Sequence, residues 1–280
     1  MLLVQNPRVS KAGPLVARLA ELVSESGAQV RIARTIDEAG IEAGLREVDL
    51  VVTVGGDGTI LRVARFALRA GVPVLGVNLG ELGFLAELSP EQAVTVLPEL
   101  LAGGGWLEER VAMEVMSTAC QAACPLIAIN DVQIGRGELS RVVKIGVRIG
   151  DTGFTSYLGD GVLVATPTGS TAYSLAAGGP VLDPRLESLV LTPLVPYLSF
   201  PYPVVLAPNT TLRLTVSTDY TAALTVDGQV DVPLRSGDVV TISRAANPVR
   251  FLRCGPPEQF YRTLTRRLRP DHFWDEGDAS

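Results

Sequence analysis

The spacing of apolar and polar residues predicts a parallel-sheet domain in the first third of the chain. Short apolar runs at residues 2–4, 30–33, 48–54 and 72–77 predict four strands. Segments with helical periodicity lie between these runs. Because strands that alternate with helices pair in parallel under covering helices, we expect a Rossmann-like α/β domain.

Two helices of this domain have distinct sequence signals. Residues 14–26 place Leu15, Leu19, Leu22 and Val23 on one face, and Gly27 follows the last turn. The next helix is expected to begin near Thr35, because Thr35 and Glu38 have the spacing of a capping box.

Beyond residue 105 the pattern changes to alternation with a period of two. Turn sequences such as Asp227-Gly228 separate short runs that predict strands, at residues 142–149, 161–165, 211–216, 222–226 and 239–242. This part predicts a C-terminal β-rich, β-sandwich-like domain, and the pattern of residues 258–268 predicts a helix. We therefore predict an α/β domain at 1–106, a β-rich domain at 107–256, and a C-terminal helix and tail at 257–280 that return to the first domain.

Composition narrows the possible partners. The chain has 280 residues, of which 47% are hydrophobic, and its net charge is −6. An acidic chain of this kind argues against nucleic-acid and anionic-membrane binding, but it leaves open a small anionic ligand held by backbone N–H groups.

Residues 188–212 are uncharged but contain five prolines, which predicts extended buried chain or a subunit interface rather than a membrane helix. Cys120, Cys124 and Cys254 match no common zinc spacing and predict reduced thiols in the cytoplasm.

The sequence Gly55-Gly56-Asp57-Gly58-Thr59 is the first candidate site. It lies between a predicted strand and a predicted helix, where glycines allow a ligand close to the backbone and the helix N-terminus favours phosphate. A carboxylate among phosphates has two uses: Asp57 can help to hold a divalent cation, or it can accept a hydroxyl proton during phosphoryl transfer.

Two further motifs predict a nucleotide site. In the loop that follows residues 159–165, the hydroxyl groups of Thr168, Ser170, Thr171 and Ser174 can bind phosphate or ribose, and the ring of Tyr173 can stack on a base. Asn130 and Asp131 form a polar pair within an apolar run, where Asn can bind a base edge and Asp can accept from ribose hydroxyls. No stretch of the chain matches the Gly-x-Gly-x-x-Gly or P-loop pattern.

These motifs and their order resemble the NAD kinase family over nearly the whole chain. The run Thr166-Pro-Thr-Gly-Ser-Thr-Ala-Tyr173 is the most specific, whereas Gly-Gly-Asp-Gly-Thr also occurs in lipid kinases and relatives of phosphofructokinase. The resemblance implies transfer of the ATP γ-phosphoryl group to the 2′-hydroxyl of the adenosine ribose of NAD. It also implies Mg²⁺ or Mn²⁺ as cofactor, ATP or polyphosphate as donor, and a homodimer or homotetramer.

The resemblance assigns roles to residues of this chain. Asp57 matches the catalytic carboxylate, and no residue of the protein is assigned as a metal ligand. Asp160 matches a carboxylate at the nicotinamide end, and Asp131 stands where Glu is more usual. The remaining binding residues that it implies are Gly55, Gly56, Gly58, Thr59, Asn78, Phe84, Asn130, Thr168, Ser170, Thr171, Ala172, Tyr173 and Ser174.

One departure from the family pattern keeps two alternatives open. Tyr197 and Tyr202 stand where the family usually has His and Arg. The first alternative is a dinucleotide-binding protein without catalysis. The second is a lipid or sugar-phosphate kinase of the same superfamily, against which the base-stacking Tyr173 counts.

Overall fold

The computed structural model describes residues 1–80, 83–120, 125–138 and 141–268, so Cys124 lies outside the described residues. In chain order, the helices are α1 (Ala12–Glu25), α2 (Glu38–Gly44), α3 (Asp57–Ala70), α4 (Pro90–Leu101), α5 (Tyr173–Ala176) and α6 (Gln259–Leu268). The strands are β1 (Leu2–Gln5), β2 (Arg31–Arg34), β3 (Val51–Val54), β4 (Val74–Val77), β5 (Trp106–Arg110), β6 (Met113–Ser117), β7 (Leu126–Ala128), β8 (Asp131–Arg136), β9 (Val143–Ile149), β10 (Thr152–Gly159), β11 (Gly161–Ala165), β12 (Leu189–Leu194), β13 (Val204–Leu206), β14 (Leu212–Ser217), β15 (Ala222–Val226), β16 (Val230–Leu234), β17 (Val239–Arg244) and β18 (Val249–Arg253).

The chain divides into two compact units. The first comprises Met1–Val63, Val74–Leu107 and Leu252–Ser280, and the second comprises Ala64–Pro73 and Glu108–Phe251. Helix α3 and strands β5 and β18 therefore each contribute residues to both units. The division at residues 106 and 256 stays a prediction.

A six-stranded sheet in the order β2-β1-β3-β4-β18-β5 organises the first unit. Strands β1 to β4 pair in parallel, and every residue of β3 and β4 is buried. Leu3, Val52 and Leu75 of the sheet pack with Val16 and Leu19 of α1 in one core. The predicted alternation of strands and helices is confirmed. The predicted capping residue is wrong, because Asp37, not Thr35, caps α2 by accepting a hydrogen bond from the N–H of Gly40 at 2.9 Å.

Two antiparallel six-stranded sheets form the second unit, in the orders β10-β9-β14-β17-β6-β7 and β13-β12-β11-β8-β15-β16. Alternate side chains from both sheets meet in one core, which includes Ile134, Tyr157, Leu191 and Leu214. The β-sandwich-like prediction is therefore confirmed. Within residues 188–212, strand β12 is buried as expected, but Val195 and Leu198 are 74% and 90% exposed. No described helix is long and apolar enough to span a membrane.

Candidate active site

The glycine turn joins the buried strand β3 to helix α3. The N–H of Gly55 donates to the carbonyl of Val77 at 2.9 Å. A Cβ atom at position 55 would lie 2.6 Å from the Oγ1 of Thr59, and that oxygen accepts a hydrogen bond from the Nδ2 of Asn6 at 3.2 Å. Gly55 is therefore required by packing at the turn.

Gly56 and Gly58 have a different environment. Both are exposed, neither has a positive φ, and a Cβ atom on either would enter open space. Packing and backbone conformation in the described chain thus do not explain these two glycines. A ligand that approaches the backbone at the N-terminus of the 14-residue helix α3 would explain both.

The carboxylate of Asp57 is half-buried and held in one orientation by the segment that follows β4. Its Oδ2 accepts a hydrogen bond from the N–H of Phe84 at 2.9 Å, and its Oδ1 accepts one from the N–H of Leu85 at 3.3 Å. A Cβ atom on Gly83 would overlap the carboxylate. The ring of Phe84 packs on Phe260 of α6, with centroids 6.1 Å apart.

Asn78 follows the carboxyl end of β4 and shapes the turn there. It is 7% exposed, its N–H donates to the carbonyl of Leu88 at 3.0 Å, and its Oδ1 accepts from the N–H of Gly80 at 3.3 Å. The first unit therefore brings Gly55, Gly56, Asp57, Thr59, Asn78 and Phe84 to the ends of two neighbouring strands.

Asn130 and Asp131 of the second unit are held by Asp227, in the turn between β15 and β16. The carboxylate of Asp227 accepts hydrogen bonds from the N–H groups of three consecutive residues. Its Oδ2 accepts from Ile129 at 2.9 Å, and its Oδ1 accepts from Asn130 at 2.8 Å and Asp131 at 3.1 Å. In return, the N–H of Asp227 donates to the carbonyl of Asp131 at 2.9 Å. The turn before β8 is thereby fixed around a single carboxylate.

The carboxyl groups of Asp131 and Asp227 share a low-dielectric environment. Burial, and the charge of Asp227, raise the pKa of Asp131 to about 7. Burial also raises the pKa of Asp227, although its three backbone donors and the guanidinium of Arg65 act in the opposite direction. Asp131 can therefore change its charge near neutral pH.

The loop after β11 is tied to the same turn. The Oγ1 of Thr166 donates to the carbonyl of Ile129 and accepts from the N–H of Gly169 at 3.1 Å, and a Cβ atom on Gly169 would overlap the backbone of Asn130. Asn130 Oδ1 and Thr168 Oγ1 are buried and have no hydrogen-bond partner within the described chain. Buried polar atoms are rarely left unpaired, so these two atoms indicate a ligand or an ordered water at this place.

Other hydroxyl groups of the loop are bonded within the fold. Ser170 Oγ donates to the carbonyl of Pro167 at 2.7 Å, Thr171 Oγ1 to that of Thr168 at 3.2 Å, and Ser174 Oγ lies 3.2 Å from the Oγ1 of Thr192. Ala172 precedes the short helix α5, and the ring of Tyr173 is 47% exposed, as a stacking face would need to be. The ligand roles of these residues stay predictions.

Asp160 lies between β10 and β11, away from the turn that carries Asn130. Its Oδ1 is 3.3 Å from the Nε of Arg136, and both side chains are about one-third exposed, at 36% and 35%. Such a partly exposed pair is easily reorganised by a ligand.

Sequence reasoning missed residues that hold the candidate site residues. The turn sequence Asp227-Gly228 does not show that the Asp227 carboxylate binds the backbone of Asn130 and Asp131. A β-hairpin turn ordinarily exposes its Asp, and no local signal in the sequence shows that this one is only 9% exposed. Gly83 has no local sequence signal either, although a Cβ atom there would overlap the Asp57 carboxylate.

The described residues include no group of three His, Cys, Asp or Glu side chains that could hold a metal ion. Mg²⁺ in phosphoryl-transfer enzymes is commonly bound by one or two carboxylates together with substrate phosphates. Asp57, at a helix N-terminus suited to phosphate, fits that mode of binding.

Comparison with known proteins defines the class of this site. Residues 11–105 match the ATP-NAD kinase N-terminal domain, and residues 129–254 match the ATP-NAD kinase C-terminal domain. The chain is 38% identical to an NAD kinase of Dehalococcoides mccartyi over 255 residues, covering 86% of this chain and 90% of the relative. It is 36% identical to an NAD kinase of Chloroflexus aurantiacus over 274 residues, covering 91% and 99%.

Solved structures agree. An NAD kinase from Archaeoglobus fulgidus in complex with ATP has a TM-score of 0.77 and 26% identity, covering 95% of this chain and 97% of its own. Yeast NADH kinase complexed with NADH has a TM-score of 0.83 at 22% identity, covering 99% and 88%, and shows the shared fold. The protein is therefore a kinase. The chain belongs to the ATP-NAD kinase family, and neither the non-catalytic nor the lipid-kinase alternative is favoured.

Proposed function

We propose that this protein transfers the γ-phosphoryl group of ATP to the 2′-hydroxyl of the adenosine ribose of NAD, giving NADP and ADP. The observation that carries the proposal is the Asp57 carboxylate, which is oriented by the N–H groups of Phe84 and Leu85 beside a glycine turn open to a ligand. A carboxylate fixed at a phosphate-binding helix terminus is suited to accept a proton during phosphoryl transfer.

The proposed chemistry depends on position and charge. The ribose 2′-oxygen bonds to the γ-phosphorus while its proton passes to Asp57, and the bond from that phosphorus to the β-γ bridging oxygen breaks. The backbone of Gly56 and Gly58 approaches the phosphates. When bound with the nucleotide, a divalent cation (Mg²⁺ or Mn²⁺) would neutralise part of the phosphate charge. Asp57 is the carboxylate that would contact the cation.

The dinucleotide is recognised by the second unit in this proposal. Asn130 Oδ1 and Thr168 Oγ1 bond to the adenosine part, which would satisfy the two buried oxygens that have no partner in the described chain. Asp131 accepts hydrogen bonds from ribose hydroxyls, and the exposed ring of Tyr173 offers a stacking face. Phe84 lies beside the nucleotide. Asp160 leaves its contact with Arg136 and binds the nicotinamide end.

A coupled assay tests the proposed reaction. Purified protein is given ATP, Mg²⁺ and NAD, and NADP is read with an NADP-specific dehydrogenase. We expect NADP to form in an ATP-dependent way. Parallel reactions replace ATP with polyphosphate and NAD with NADH, diacylglycerol or fructose 6-phosphate. Tight NAD binding with no NADP formed, or phosphorylation of the lipid or the sugar phosphate instead, would contradict the proposal.

We also propose a homodimer or homotetramer in the cytoplasm. Four exposed apolar side chains within eight residues, Val195, Tyr197, Leu198 and Tyr202, support self-association, because clustered exposed apolar groups are typical of an interface. The described residues contain no disulfide, and the thiol of Cys254 contacts Glu87 instead, as is typical of a protein in a reducing compartment. Light scattering on the purified protein tests the assembly, and a monomeric mass at assay concentration would contradict it.

A further inference from the structure

A buried ion pair joins the C-terminal end of β18 to the segment that orients Asp57. Arg253 and Glu87 have side chains that are 7% and 5% exposed, and Arg253 Nη1 donates to Glu87 Oε2 at 3.1 Å. The same Nη1 donates to the carbonyl of Leu85 at 3.0 Å. Both side chains belong to the first unit, as does Asp57.

Leu85 is bound on both sides of its backbone. Its N–H donates to Asp57 Oδ1 at 3.3 Å, while its carbonyl accepts from Arg253. The other oxygen of Glu87 accepts from the N–H groups of Cys254 at 2.9 Å and Gly255 at 2.8 Å, so Glu87 is itself fixed. A continuous series of hydrogen bonds therefore runs from the C-terminal segment through Leu85 to the carboxylate.

We propose that Arg253, fixed by Glu87, is a positioning residue for Asp57: it holds Leu85 so that the Phe84 and Leu85 N–H groups orient the carboxylate toward the hydroxyl that loses its proton. The inference rests on the proposed function of Asp57. A buried ion pair contributes little net stability, because the cost of desolvating two charges offsets much of their attraction. Small misplacement of a reacting group, in contrast, lowers turnover strongly.

The decisive variant removes both charges together. Removing one partner alone leaves an uncompensated buried charge and can prevent folding, whereas an uncharged pair is commonly tolerated. In Glu87→Gln with Arg253→Met, the Gln oxygen can still accept from Cys254 and Gly255, but the donor to the Leu85 carbonyl is lost. We expect kcat to fall by roughly 10- to 100-fold, with KM for NAD and ATP changed by less than about threefold. The single variant Arg253→Lys keeps Glu87 and a charged donor, so its kcat is expected to lie between those of wild type and the double variant.

A matched control is a second buried ion pair, Glu108 with Arg110, whose side chains are 8% and 4% exposed. Glu108→Gln with Arg110→Met removes the same charges from the second unit. We expect kcat of this control to stay within about threefold of wild type. A folded Glu87→Gln, Arg253→Met protein with wild-type kcat would overturn the inference, and so would an equal loss of kcat in the control.

Combination with Asp57→Asn separates positioning from general damage. If Arg253 acts through Asp57, the uncharged pair should lower the residual rate of Asp57→Asn by less than about twofold, because the group that it positions is already gone. Multiplication of the two losses would contradict the inference. If Asp57→Asn alone keeps near-normal turnover, the proposed function of Asp57 fails; if it loses turnover while the Arg253 variants do not, only the positioning role fails.

Discussion

Asp131 and Asp227 bind each other's backbone. The N–H of Asp131 donates to Asp227 Oδ1 at 3.1 Å, and the N–H of Asp227 donates to the carbonyl of Asp131 at 2.9 Å. Both residues are 9% exposed, so two buried carboxyl groups lie close together. Three backbone N–H groups donate to the Asp227 carboxylate, whereas no backbone N–H of the described residues donates to the Asp131 side chain. Burial raises the pKa of both carboxyl groups, and that of Asp131 reaches about 7, so Asp131 can hold a proton near neutral pH.

Stability should depend on pH through Asp131. Its pKa rises from the ordinary 3.8 to about 7 on folding, so between those values the folded protein holds a proton that the unfolded chain has lost. The contribution of Asp131 to the free energy of unfolding is therefore fully present below pH 4 and is lost as the pH rises toward 7. Asp131→Asn removes this loss. We expect the difference in free energy of unfolding between the variant and wild type to favour the variant more at pH 8 than at pH 5. Urea unfolding at each pH provides the measurement. An equal difference at both values would contradict this assignment.

NAD affinity should also follow this proton. In the proposed function the ionised Asp131 accepts hydrogen bonds from ribose hydroxyls, so only the deprotonated fraction binds well. A single titration near pH 7 predicts binding about tenfold weaker at pH 6 than at pH 8. Calorimetric titration of NAD into the protein over this range provides the measurement. Asp131→Asn should flatten the profile, while a wild-type profile that is already flat would remove Asp131 from the ribose site.

Loss of the Asp57 carboxylate should lower turnover much more than binding. Assistance by a positioned proton acceptor is worth about 10²–10⁴-fold, so Asp57→Asn is expected to lower kcat by at least that lower figure. The Asn side chain has nearly the same shape, and NAD affinity should therefore stay within a few-fold. The coupled NADP assay gives kcat and calorimetry gives affinity. Near-normal turnover would show that another group accepts the proton.

The sequence predicted the site's polar groups better than their surroundings. Strand β3, the glycine turn and helix α3 were predictable because buried apolar runs, glycines and helical periodicity are local signals. The contacts of Asp57 with Phe84 and of Asp227 with Asn130 join residues far apart in the chain, so no local pattern could specify them. The exposure of Val195 and Leu198, both with positive φ, contradicts the buried alternative at these two positions and leaves the subunit-interface alternative, because an apolar run with prolines is equally consistent with either.

Alanine substitutions at Gly55 and Gly56 should affect different properties, the first the stability of the protein and the second its binding of ATP. Gly56→Ala places its methyl group in open space, so we expect little change in stability but at least about a tenfold rise in KM for ATP, because the phosphates can no longer approach the backbone. Gly55→Ala should instead destabilise the protein, since its Cβ would lie 2.6 Å from Thr59 Oγ1. Thermal melting and ATP kinetics distinguish the two effects.

The control for the turn is Gly153→Ala in β10, where a Cβ atom also meets open space. This substitution should change neither the melting temperature nor KM for ATP. If Gly56→Ala behaves like Gly153→Ala, the ATP phosphates do not approach the turn at position 56.

Tyr157 gives a test of core packing that is independent of the site. Its ring is 1% exposed between the two sheets of the second unit, and its hydroxyl has no hydrogen-bond partner in the described chain. Burial raises the pKa of this hydroxyl. Because a buried hydroxyl without a partner is costly, Tyr157→Phe should leave the free energy of unfolding unchanged or raise it by up to about 1 kcal/mol. Tyr220→Phe, at a position 40% exposed, serves as the control and should change it by less than about 0.5 kcal/mol. A loss of about 1 kcal/mol or more in Tyr157→Phe would instead mean that the hydroxyl is bonded in solution, with a buried water as its partner.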